Sequence, residues 1–133
     1  MQSEMAIGLK TTLHMDFDAA LQRVIDALKA EGFGVITEID VKDTLKKKLD
    51  IDFHPYRILG ACNPSLAHRA ITTAPDVGLL LPCNVTVVQA DDGVQVAIID
   101  PKMMMSVLPN EGLRVIADEA RERLNRVIKA LEA

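Results

Sequence analysis

The sequence contains no tryptophan and one tyrosine, and aromatic residues make up only 3% of its 133 positions. Few rings are available to stack on bases, and a net charge of −4 gives no general attraction to phosphates or anionic membranes. Nucleic acid is therefore not an expected partner. No apolar run approaches the ~20 residues that a membrane span requires. The opening Met1–Ala6 segment lacks the basic stretch and apolar core of a secretory signal. The expectation is a soluble, cytoplasmic protein with no membrane partner. Cysteine is scarce too: there are two, with no CxxC pair. In a reducing compartment such a pair stays as free thiols rather than a disulfide framework. Three scattered histidines make no zinc pattern, and no glycine-rich phosphate loop is present. No cofactor is expected.

What is present is an ordinary balance of 49% hydrophobic and 26% charged residues. A chain of this length buries roughly two thirds of its unfolded surface on folding, enough for one core. A single domain over 1–133, with no linker or internal repeat, is the expectation. From Ala6 to Leu13 the apolar residues fall mostly on alternate positions, which predicts a strand with one buried face. Asp16 then caps a helix with Ala20, Leu21, Val24, Ile25 and Leu28 on one stripe, and Gly32 supplies its left-handed stop. Gly34–Ile39 is short and β-branched, a second strand. Asp40 caps a short helix with Val41, Leu45 and Leu49 on its apolar side and Lys46–Lys48 facing solvent at its C-terminal end.

Tyr56–Cys62 reads as a third strand. Asn63-Pro64 then starts a helix, because Asn caps and Pro is tolerated where its missing N–H would have had no partner anyway. The continuous apolar run Val77–Leu81, bounded by prolines, is expected to form a fourth strand, with a bend or edge position at Pro82. Val85–Ala90 and Val94–Ile99 flank Asp91-Asp92-Gly93, a clear antiparallel hairpin signal. After Asp100-Pro101 and the Met103–Met105 run, a long helix places Leu113, Ile116, Ala117, Ala120, Leu124, Val127, Ile128 and Leu131 on one face. Strands and helices in this order predict an α+β fold, with helices packed on one face of a mostly antiparallel sheet.

The chemistry concentrates between Tyr56 and Asn84. That stretch opens Tyr56-x-Ile58-Leu59-Gly60-Ala61-Cys62-Asn63-Pro64 and closes Gly78-Leu79-Leu80-Leu81-Pro82-Cys83-Asn84-Val85. Together with Asp100-Pro101 and its methionines, these motifs resemble the domain of unknown function 302 family, along nearly the whole chain. The resemblance implies a curved sheet of the TATA-binding-protein-like kind and a homodimer, and it brings no established activity. Likeness of fold to a DNA-binding protein carries no function across.

Three readings of these residues stay open. The first is a dimeric small-molecule-binding or sensing domain without catalysis, its site formed by Tyr56, Cys62, Asn63, Pro82, Cys83 and Asn84. The second is a thiol- or soft-metal-dependent redox protein using Cys62 and Cys83, with Met104, its neighbouring methionines or His54 as further ligands, since thiolates and thioethers suit Cu(I). The third is a structural interaction module. Both cysteines also have a packing explanation, because cysteine behaves as a small buried hydrophobe and methionine fills irregular gaps. Asn84 lacks the capping role that accounts for Asn63. Its amide is expected to satisfy backbone groups freed beside Pro82, or to enter a pocket with Asn63 and Tyr56. Ser65 and His68, three apart on one helix with Asp76 nearby, make a weak hydrolase pattern with no nucleophile elbow beside it.

Overall fold

In a computed structural model describing residues 7–133, five strands form one sheet in the order β1-β5-β4-β3-β2, antiparallel at every junction. They are β1 (Gly8–Leu13), β2 (Gly34–Asp40), β3 (Tyr56–Cys62), β4 (Cys83–Ala90) and β5 (Gly93–Ile99). Ala6, the expected start of β1, lies outside the described residues. Register explains the alternation along each strand. Leu59, Val85, Ile98 and Leu9 form one cross-strand row on the inner face, and the first three are fully buried. The next row, Ile58, Thr86, Ala97 and Lys10, lies on the opposite face.

Helices pack on the inner face. Helix α1 (Phe17–Ala30) carries the chain from β1 at one sheet edge to β2 at the other, burying Ala20, Val24 and Leu28. Asp16 accepts from the Ala19 N–H at 3.0 Å, and Gly32 at φ +86° ends the helix as its position in the sequence predicts. Helix α5 (Glu111–Glu132) buries the eight residues of its predicted stripe. Its six large aliphatics (Leu113, Ile116, Leu124, Val127, Ile128 and Leu131) contribute on the order of 10 kcal/mol of transfer free energy before conformational entropy opposes it.

One local expectation is corrected, and two further details emerge. Val77–Leu81 is not a strand: Pro75–Leu80 forms a 3-10 helix that buries Val77 and leaves Leu79 88% exposed. A short apolar run between prolines carries no period that separates strand from helix, and Pro75 at its first position is pre-set for the helical φ. Helix α2 (Val41–Leu49) does form under its Asp40 cap, but it buries none of its residues, so its apolar stripe is not part of this core. Its lysines face solvent, with Lys46–Asp50 and Lys47–Asp43 pairs at 3.0 Å each. A short helix that the sequence reading left out, α4 (Pro101–Met105), follows β5. Asp100 caps it by accepting from the Lys102 N–H, and Pro101 is its first residue. This repeats the Asn63-Pro64 mechanism that starts α3 (Pro64–Thr73). No helix of the described residues is long and apolar enough to cross a membrane.

Candidate functional site

Strand β3 ends beside the start of β4. Ala61 pairs with Cys83, so Cys62 lies one residue beyond the last β3–β4 rung, still paired with Gly34 of β2, and Pro82 directly precedes β4. The chain turns at Asn63, whose Oδ1 accepts from the Leu66 N–H at 3.1 Å to cap α3. Helix α3 and the 3-10 segment then arch back to Pro82. The Leu81–Pro82 peptide bond is cis. Because Pro82 stands outside the ladder, its missing N–H removes no sheet hydrogen bond.

Beneath this arch is an apolar cleft of about 290 Å³. Its back wall holds Ala61, Cys62, Asn63, Pro82 and Cys83; α3 contributes Leu66, Ala67, Ala70 and Ile71; α4 and α5 close the far side with Met105, Ile116 and Ala120. Strand β2 supplies Ile36 through an irregularity. The register passes from Val35 opposite Ala61 to Thr37 opposite Gly60, which leaves Ile36 as the extra residue of a bulge. Such a bulge re-aims a side chain, and Ile36 lines the mouth of the cleft at 62% exposure.

The cleft is apolar and its lining carries no charged side chain: none of its residues is Asp, Glu, Lys, Arg or His. Among the described residues Asn63 is the buried polar side chain, and its oxygen is already committed to the cap. Burial, and secondarily the charge of neighbouring Cys62, push the Cys83 thiol from its ordinary 9.0 up to about 11. Cys83 is therefore a protonated thiol at neutral pH. Both cysteines are free, Cys62 half-buried and Cys83 buried.

Four of the six residues singled out in the sequence (Cys62, Asn63, Pro82 and Cys83) line this cleft. The other two stand elsewhere. Tyr56 is at the opposite end of β3, beside Phe53 and His54 and on a depression of the open sheet face shared with Lys10, Thr12, Thr86 and Gln95. Asn84 is exposed, opposite Gly60, where water can satisfy its amide, so the expected pocket with Asn63 and Tyr56 does not form. Met104 packs against the core from outside the cleft, and Met105 is the methionine that lines it. His54 is exposed and stacks on Phe53 with ring centroids 4.0 Å apart. Ser65, His68 and Asp76 are all exposed. Among the described residues no three His, Cys, Asp or Glu gather as metal ligands.

Phe33, Ile36 and Ile116 are lining residues that sequence reasoning missed, and Met105, considered there only as a soft-metal ligand, lines the cleft as well. The signal for Met105 was present in Asp100-Pro101, which fixes the start of α4 and hence its phase. Arg121 reinforces that placement, with its Nε 3.1 and 3.2 Å from the two Asp100 carboxylate oxygens. The bulge that delivers Ile36 left no mark in the sequence.

No curated protein matches the chain. Among solved structures, the crystal structure of the uncharacterized conserved protein DUF302 from Bacillus stearothermophilus aligns with a TM-score of 0.86 at 28% identity, over 93% of this chain and 97% of that one. Residues 9–131 match the family described as Domain of unknown function DUF302. With both the sequence match and the aligned structure spanning almost the whole chain, the protein belongs to this family.

Proposed function

We propose that this protein is a small-molecule-binding or sensing domain that acts as a dimer, with its ligand site in the cleft at Cys62, Asn63, Pro82 and Cys83. The observation that carries the reading is an open, apolar volume framed by residues from β2, β3, α3, β4, α4 and α5. A core of interdigitated side chains leaves few voids larger than a water molecule, so a cleft of this size is held open by the backbone arch around it. Binding rather than catalysis fits its chemistry, because the buried thiol is protonated and no acid–base pair lines the walls. A nuclear magnetic resonance fragment screen tests it. Binders should shift the amides of Cys62, Leu66 and Ile116, and Ala67→Met, which fills the cleft from a half-buried position, should abolish those shifts. Shifts confined to other surfaces would reject the site.

Dimerisation draws support from the family resemblance and from apolar surface that this core leaves uncovered. Ile39 is 50% exposed on the open sheet face beside Ile58, and Leu49 and Ile51 extend the uncovered surface past α2. A second copy is the proposed cover. Sedimentation velocity should find a dimer at micromolar concentration, and Ile39→Lys should shift it toward monomer; a clean wild-type monomer would refute it. The reading places the protein in the cytoplasm, where its thiols remain reduced.

One observation favours the thiol or soft-metal reading as a second choice: Cys62 is near enough to Cys83 for its charge to raise the Cys83 pKa. One copper per chain, lost on Cys83→Ser, would move that reading to first place. A role as a structural interaction module would be favoured instead if no ligand occupies the cleft while the α2 surface binds a partner.

A further inference from the structure

Resting on the reading of the cleft as a binding site, we propose that its occupant is an uncharged aromatic ring system of about ten non-hydrogen atoms, scaled from a cavity of roughly 150 Å³ that holds benzene. The 290 Å³ cleft is about twice that size, which suits two fused rings. Charge complementarity fixes the first part of the class. No lining side chain carries a charge, the Asn63 oxygen already accepts from the Leu66 N–H, and the cleft has no counter-ion to offer a carboxylate or an ammonium. A charged ligand would have to be desolvated there with no opposite charge to compensate it.

The walls fix the second part. Three sulfur-bearing residues, Cys62, Cys83 and Met105, and the aromatic Phe33 line one small volume. Sulfur prefers the edge of an aromatic ring at contact distance, and ring–ring packing adds its own geometric preference. A saturated hydrocarbon of equal size gains the same burial without those contacts. The route in is apolar as well: Ile36 and Ile71 both line the cleft and are 62% and 45% exposed. A ligand passing between them meets no charged gatepost.

The test titrates the intact protein with four probes of similar size: naphthalene, 2-naphthoate, 1-naphthylmethylamine and decalin, each followed by amide shifts and by the rise in melting temperature. Naphthalene should bind at the cleft, the two charged probes at least tenfold more weakly, and decalin about three- to tenfold more weakly. Met105→Leu, a swap that conserves volume and fold, should narrow the naphthalene-over-decalin preference while leaving decalin unchanged. Cys62→Ala should act in the same direction and serves as the second variant. Equal binding of naphthalene and decalin, or naphthoate binding as tightly as naphthalene, would overturn the ligand class and leave the cleft a binding site. If none of the four binds, and Ala67→Met behaves as the wild type toward all of them, both the ligand class and the binding site fall.

Discussion

Cys83 connects the construction of the cleft's back wall to a rate that can be measured. Burial first, and Cys62 second, push its thiol from 9.0 up to about 11. Only the thiolate attacks a disulfide reagent. At pH 8 a thiol of pKa 9.0 is ionised in about one molecule in eleven and a thiol of pKa 11 in about one in a thousand, a roughly 100-fold loss of thiolate that its greater nucleophilicity offsets by up to about tenfold. Restricted access slows it further. The assay uses Cys62→Ser, which leaves Cys83 as the remaining thiol and keeps the larger cause, burial, in place. Its reaction with an aromatic disulfide reagent is compared in buffer and in denaturant. A native rate equal to the denatured one would refute the reasoning, because burial should slow the reaction through both access and ionisation. The same group predicts a pH dependence of stability. A thiol whose pKa rises on folding contributes stability that is complete below pH 9 and is lost as pH climbs toward 11, amounting to about 1.4 kcal/mol by pH 10. Cys83→Ala should lack that alkaline loss, as denaturant melts at pH 8 and pH 10 would show.

Three further outcomes follow from the packing. Leu124 is fully buried on α5; Leu124→Asp combines a lost aliphatic side chain with an unpaired buried charge and should cost more than about 4 kcal/mol, so an unchanged melting temperature would refute the placement of that helix face. Asn63→Ala removes the cap and strands the Leu66 N–H, which should cost about 1–2 kcal/mol in denaturant titration, whereas Asn63→Ser and Asn63→Asp keep a capping oxygen and should fold with smaller losses. If Asn63→Ser keeps full stability but loses cleft binding, Asn63 acts on the ligand and not chiefly as a cap. A Cβ at Gly60 would fall 2.1 Å from the Thr37 hydroxyl oxygen and 2.8 Å from Pro82 Cγ, so Gly60→Ala should cost about 1–3 kcal/mol and disturb the start of β4; a melt indistinguishable from wild type would show that Thr37 and Pro82 yield freely.

Much of this architecture was legible because its determinants are local. The α5 stripe follows from a 3.6-residue period sustained over six turns, the hairpin from Asp-Asp-Gly between two alternating segments, and α1 and α3 from caps that hold in any context. Where the determinant was not local, the reading failed. The run Val77–Leu81 has no period, and what makes it a 3-10 helix is the arch it must complete between α3 and β4, with Val77 sealed beneath it. The α2 helix and its Asp40 cap were legible, but amphipathic spacing marks a side that seeks burial without saying what covers it, and this core does not.

For the candidate site, the sequence by itself singled out one stretch: two Cys-Asn steps, each beside a proline, with Asn63 and Pro64 set to start a helix. It also determined that Cys62 and Asn63 would be neighbours at a strand end. Only the tertiary structure decided that Cys83 would arrive opposite Ala61, because cross-strand register depends on the length of the α3 arch and not on either motif. Register also divided the six residues. On β3, Tyr56 and Cys62 are separated by the whole length of the strand, and on β4 alternation turns Cys83 inward and Asn84 outward. Ile36 reached the cleft through a bulge, and Met105 through the turn of α4 held by Asp100 and Arg121. A cavity is a relation among segments distant along the chain, and its shape exists only once their packing has fixed the distances between them.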